Sequence, residues 1–151
     1  MTLLSIDPGT EQSGWVVLDD DNRIVSSGVN LNTDVLTAVR EYEDVAIEMI
    51  ASYGMPVGRE VFETCVWIGR YIEAASVPDD VVRVTRNEVK NHLCGSSKAK
   101  DPNVRQALID LFGPPGKKSA PGPTFGVTSH AWAALGVAAT ALKLERKDTT
   151  T

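Results

Sequence analysis

The order of apolar runs predicts an α/β fold: a mixed five-stranded sheet, three antiparallel strands first and parallel strands after them, flanked by helices. Three observations carry this. The N-terminal third holds three short strand-like runs joined by turn residues. The middle shows helical spacing at Val57, Val61, Cys65, Ile68 and Ile72. A β-branched run at Val81–Val84 then leads straight into a helix-capping pattern.

Leu3–Asp7 is the first strand and Gly14–Leu18 the second. Arg23–Val29 is the third, with Asp20-Asp21-Asn22 supplying turn chemistry before it, so the three form a meander. A short helix over Asp34–Glu41 leads to the fourth strand, Asp44–Ile50, and to a Gly54-Met55-Pro56 loop. An amphipathic helix then runs to about Ala75 and stops before Pro78. Thr85-Arg86-Asn87-Glu88 has the form of a capping box, with Gly95 set to end its helix. Asp101-Pro102 reads as an N-cap and a first helical proline, followed by Val104, Ala107, Leu108 and Leu111 on one face. Residues 114–126 are rich in Pro, Gly and Lys and are expected to be too irregular to pack, ordering only when something binds. The Ala-rich stretch Ser129–Leu144 is the last helix. The expected organisation is one domain over residues 1–147, with 148–151 as a frayed tail.

Ordinary apolar and charged fractions, no apolar run of the roughly 18 residues a membrane span needs, and no basic leader predict a soluble, cytoplasmic protein with no membrane partner. Cys65 and Cys94 make no disulfide framework, and His92-x-Cys94 lacks zinc-site spacing. The formal net charge of −5 argues against indiscriminate nucleic-acid binding, but the charge is unevenly placed. Before Ile50 the only bases are Arg23 and Arg40. Between residues 83 and 118, Arg83, Arg86, Lys90, Lys98, Lys100, Arg105, Lys117 and Lys118 face only Glu88, Asp101 and Asp110. Lys90, Lys98, Lys100, Arg105, Lys117 and Lys118 are therefore the candidate DNA contacts; solvated helix faces and loops explain the same charges.

Two acids stand out because each closes an apolar run. Asp7 ends the first strand at the Pro8-Gly9-Thr10 turn, and Glu48 lies at the end of Val45-Ala46-Ile47. A carboxylate emerging from a buried strand is costly unless something compensates it, and a divalent cation is the natural compensation. Two carboxylates plus a phosphate suit Mg²⁺. If the first and fourth strands lie side by side and parallel, Asp7 and Glu48 become neighbours. Turn chemistry alone accounts for Asp7 as well, whereas Glu48 has no comparable local role.

Leu4-Ser5-Ile6-Asp7-Pro8-Gly9-Thr10 with Ser13-Gly14-Trp15, then Ala46-Ile47-Glu48, then Val89-Lys90-Asn91-His92-Leu93-Cys94-Gly95, then His130-Ala131-Trp132-Ala133-Ala134-Leu135 resemble, in order and spacing, the RuvC-type Holliday junction resolvases of the RNase H-like superfamily. The short chain and its loop-rich third quarter resemble a phage or prophage version, acting in a bacterial or phage-infected cell. The resemblance implies a dimeric, metal-dependent endonuclease that nicks four-way DNA junctions, with two Mg²⁺ ions per site and Mn²⁺ also supporting activity. Asp7 matches the first of four acidic ligands and Glu48 the second. His130 stands at the third, where some relatives carry histidine, and the fourth falls on Ala133, which cannot ligate. The implied catalytic and metal set is thus Asp7, Glu48 and His130. Asp101 is a conceivable substitute ligand, but no spacing argument favours it.

Other classes fit less well. Actin-like and chaperone-type ATPases share the D-x-G-T turn but need a much longer duplicated chain, and Gly113–Ser119 does not form a phosphate loop, so no nucleotide cofactor is expected. The nearest rival is a junction-binding protein whose nuclease is weakened or lost through Ala133. Tyr53 and Phe125, both in loops, are the aromatic candidates for stacking on unpaired bases. The helix containing Val57, Phe62, Trp67 and Ile72 is the candidate dimer face.

Overall fold

In the computed structural model the chain is described over residues 2–145; the expected domain end at 147 and the tail at 148–151 lie outside the described residues. Its central sheet contains β1 (Leu3–Asp7), β2 (Gln12–Leu18), β3 (Ile24–Leu31), β4 (Asp44–Met49) and β5 (Val82–Thr85), in the order β3-β2-β1-β4-β5. β1, β2 and β3 are antiparallel neighbours, whereas β1 with β4 and β4 with β5 are parallel. This is the mixed sheet the sequence predicts.

The period-2 alternation of the strands divides the core in two. Leu4, Ile6, Val45 and Ile47 face one side and pack with Val35, Leu36 and Val39 of α1 (Asn32–Val39) and Ile68 and Tyr71 of α2 (Arg59–Ala74). Leu3, Ala46 and Val84 face the other side, under α3 (Arg86–Cys94), α4 (Asp101–Phe112) and α5 (His130–Ala141). Asp7 shares the side of Leu3 and Ser5, and Glu48 the side of Ala46. The same alternation that builds the core therefore turns both acids toward α5.

α5 is buried nearly all round, which its sequence permits because most of it is Ala, Gly and Val. Ser5 Oγ donates to Ala134 O at 2.7 Å and ties the second turn of α5 to β1. Expected to reach Leu144, α5 instead ends at Ala141: Lys143 turns left-handed (φ 53°), and Leu144 N donates back to Ala139 O at 2.9 Å. At α3 the predicted capping box is present, with Glu88 N and Thr85 N each donating to the other residue's side chain. α4 departs slightly from expectation. Lys100 is its N-cap and Asp101 already its first helical residue, with Asn103 Oδ1 accepting the Lys100 N–H at 3.0 Å.

The segment 114–126 overturns an expectation. It folds as a small hairpin of β6 (Gly116–Lys117) and β7 (Ala120–Pro121) rather than an unpacked loop. Gly122 makes this possible: a Cβ there would collide with Pro114 O, so only glycine lets the two backbones approach. Gly122 N donates to Pro115 O at 2.8 Å, and buried Thr124 closes the base by donating from Oγ1 to Gly113 O at 2.8 Å. Composition marked the glycines as irregular, whereas they are what packs the turn.

Candidate active site

Asp7 and Glu48 sit one residue beyond the paired Ile6 and Ile47 and so emerge side by side from the sheet. Asp7 is 8 % exposed. Glu48 is half-buried, and its Oε1 is sealed from solvent without a hydrogen-bond partner. Burial raises both carboxyl pKa values. That of Glu48 is pushed up to about 8, first by desolvation, then by its hydrogen bond with Asp7 and by the Asp7 charge; Arg86 and His130 pull it back only in part. For Asp7 desolvation outweighs the lowering by Glu48 and Arg86. Two carboxyls holding back their charge, one with an orphaned oxygen, form a pocket that a divalent cation would satisfy.

His130 opens α5 and holds Nδ1 3.0 Å from Asp7 Oδ2, with its side chain largely exposed. Its place depends on Gly14, the β2 partner of Asp7. A Cβ on Gly14 would come within 2.7 Å of His130 Cβ and closer still to the His130 carbonyl, so glycine inside a strand here marks close approach of a helix end. Gly14→Ala is expected to displace the start of α5, lower stability by about 2 kcal/mol and weaken Mn²⁺ binding at least tenfold; thermal unfolding and metal titration read the two effects.

The turn after Asp7 is held by a buried polar chain. Tyr71 OH lies 2.9 Å from Ser13 Oγ, which donates to Asn32 Oδ1 at 2.6 Å, and Asn32 Nδ2 donates to Gly9 O at 2.9 Å. Ser13, Asn32 and Tyr71 are all at most 1 % exposed, so this chain is satisfied internally and fixes the direction in which Asp7 leaves β1. Burial raises the Tyr71 hydroxyl to about 12, keeping it a neutral donor.

Asp7, Glu48 and His130 open into a cleft of about 450 Å³ whose walls also include Arg86, Asp101, Arg105, Trp132 and Ala133. Arg86, the first residue of α3, pairs with Asp101 Oδ1, and its charge reaches both Asp7 and Glu48. Arg105 lies over the Trp132 ring, 4.8 Å from its centroid, a cation–π contact that stiffens a long side chain at the cleft wall. Of the six basic residues expected on DNA, only Arg105 lines the cleft. Lys90 is half-buried on α3, Lys98 and Lys100 are exposed before α4, and Lys117 and Lys118 are exposed on the hairpin. Tyr53 and Phe125 are exposed and outside the cleft lining. Among the described residues no three His, Cys, Asp or Glu side chains are already gathered as a metal site.

The sequence matches no protein-family model and no curated protein. Its structure is similar to that of Thermus thermophilus RuvC, with a TM-score of 0.68, 22% sequence identity, and coverage of 95% of this chain and 94% of that one. The chain has the RuvC fold. A second solved structure, T. thermophilus RuvC in complex with a Holliday junction substrate, gives the same TM-score of 0.68 at 23% identity, covering 93% of this chain and 92% of the other. The mixed five-stranded sheet expected from the sequence is thus shared with these structures. On the RuvC fold, Asp7, Glu48 and His130 meet at one cleft although they are far apart in sequence.

Sequence reasoning missed Arg86 and Trp132 as cleft residues, the role of Gly14 and the Ser13–Asn32–Tyr71 chain. Only Gly14 left a signal, a glycine at the head of the run read as the second strand. Asp101, without a spacing argument in its favour, enters the cleft because α4 begins beside Arg86.

Proposed function

We propose that this protein is a metal-dependent endonuclease that nicks four-way or otherwise branched DNA. The observation that carries this reading is the buried Asp7–Glu48 pair, with the unpartnered Glu48 Oε1, meeting His130 in a cleft walled by Arg86 and Arg105. The RuvC fold, shared with a protein solved on a Holliday junction substrate, supports branched DNA as the substrate class. Asp7, Glu48 and His130 are the residues that would hold the Mg²⁺ ions. When bound, the metal would supply a nucleophilic water and charge stabilisation for a phosphodiester displacement.

The chain's own groups perform the remaining work. With both carboxyl pKa values raised by burial, Glu48 and Asp7 would have to lose protons to hold a cation, so metal binding would be proton-linked. His130 would ligate through a ring nitrogen that carries no proton. Imidazole suits Mn²⁺ better than Mg²⁺, so Mn²⁺ is expected to support nicking at least as well as Mg²⁺, as parallel assays with each metal will read. Arg105, braced on Trp132, and the lysines at 90, 98, 100, 117 and 118 would take phosphates leading away from the cleft.

Paired nicks across a near-symmetric junction call for a two-fold dimer. α2 is our proposed interface: Phe62 and Val66 lie one turn apart with 61% and 58% of their surfaces exposed, while Trp67 turns partly into the core. The test is a labelled synthetic four-way junction incubated beside duplex of the same sequence. Metal-dependent cuts confined to the junction support the nuclease. Tight junction binding without cutting in either metal would favour the second reading, a binding protein, which Ala133 in the cleft wall motivates.

A further inference from the structure

We propose that Arg86 is the side chain that grips the reacting phosphate, and that Asp101 is its positioning residue. The inference rests on the nuclease reading above and names the group that recognises the substrate at that site. β5 pairs Val84 with Glu48 in parallel, so Arg86, two residues on, leaves the sheet at the same end as the acids. It lines the cleft with Asp7 and Glu48, and its positive charge acts on both. Yet among the described residues its guanidinium donates to Asp101 Oδ1 through Nη2 and makes no hydrogen bond to either acid. A counter-ion serving only to neutralise the pair would bond it directly. This one is tied to Asp101 instead and keeps the rest of its five N–H donors unspent.

A guanidinium fork matches two phosphate oxygens at once, which offsets the repulsion that the acid pair exerts on an incoming phosphate. In the displacement the water oxygen bonds to phosphorus as the bond to the leaving sugar oxygen breaks; one water proton passes to solvent and the leaving oxygen takes one up. Charge builds on the non-bridging oxygens meanwhile, and donors already aimed there stabilise it without reorganising. Two contacts aim Arg86. The capping box of Thr85 and Glu88 fixes its backbone at the start of α3, and Asp101, the first residue of α4, holds the far end of its side chain. The Arg86 side chain is 29% exposed and that of Asp101 81%, so the pair contributes direction rather than stability. Arg105, exposed and braced on Trp132, is left to the flanking phosphates.

The experiment is steady-state nicking of a labelled four-way junction by the full chain with Mg²⁺ or Mn²⁺, alongside gel-shift binding and melting. Arg86→Ala is expected to lower kcat about a hundredfold, with KM and junction binding within about threefold. Arg86→Lys, which restores the charge but not the fork, should recover only part of that loss. Asp101→Asn is expected to lower kcat about tenfold with melting unchanged. In a chain already carrying Arg86→Ala it should lower kcat no further, because its effect passes through that arginine. Wild-type kcat in Arg86→Ala, or full recovery in Arg86→Lys, would overturn the phosphate grip. An Asp101→Asn defect that persists in the Arg86→Ala background would overturn the positioning role. Each of these results leaves the nuclease reading intact, whereas a wild-type chain that cuts no junction in either metal overturns both.

Discussion

Asp7→Asn is expected to reduce junction nicking by at least a thousandfold, about 4 kcal/mol of barrier, while junction binding changes less than threefold. The substitution keeps the shape of the side chain and removes the charge that, on the proposed mechanism, would hold the cation. Asp7 is the only acid in the cleft with both a strand-fixed backbone and a direct partner on α5, His130, so no neighbour can take its place. The turn that aims it is held from Gly9 by Asn32, and Asn32 by Ser13, none of which the substitution touches. Loss of folding is therefore not the expected cause. Gel-shift and nicking assays on one preparation separate the effects: binding retained with cutting gone supports a catalytic Asp7, whereas nicking within tenfold of wild type would remove Asp7 from the mechanism.

How much of this was legible in the sequence follows from which interactions are local. Strand alternation and helical spacing are short-range patterns, and all five sheet strands and five helices were found with ends displaced by only a few residues. The capping box at Thr85 was readable because both partners lie within four residues. The Asp7–Glu48 meeting was inferable from the parallel pairing of the strands that end on them. Arg86, Asp101 and Trp132 were not readable as a group, because their approach depends on how α3, α4 and α5 pack over one sheet face. Nor was the hairpin, where Gly122 and Thr124 turn an unpromising composition into a closed loop. The Ser13–Asn32–Tyr71 chain joins β2, α1 and α2, and no local pattern predicts a hydrogen bond across three elements.

Glu48→Gln is expected to stabilise the metal-free protein, and increasingly so as pH rises. The Glu48 carboxyl is lifted from its ordinary 4.5 to about 8 by burial and by Asp7. Below pH 4.5 the group is protonated in folded and unfolded chains alike and costs nothing. Between 4.5 and 8 the unfolded chain ionises while the folded one keeps its proton, so stability falls through that window and levels off above it. Glutamine has no charge to lose and escapes the penalty. Even half of this displacement, at about 1.4 kcal/mol per pH unit, amounts to about 2 kcal/mol, a rise in Tm of roughly 5 °C at pH 8. At pH 4 the two proteins should melt together. Mg²⁺ or Mn²⁺ should raise the wild-type Tm at pH 8 by mass action and leave the variant nearly unmoved, because a carboxylate oxygen that would hold the cation on the proposed mechanism has been replaced. Melting curves that stay parallel from pH 4 to pH 8 would mean that Glu48 is ionised and already compensated in the metal-free fold. The cleft would then not be strained toward a cation.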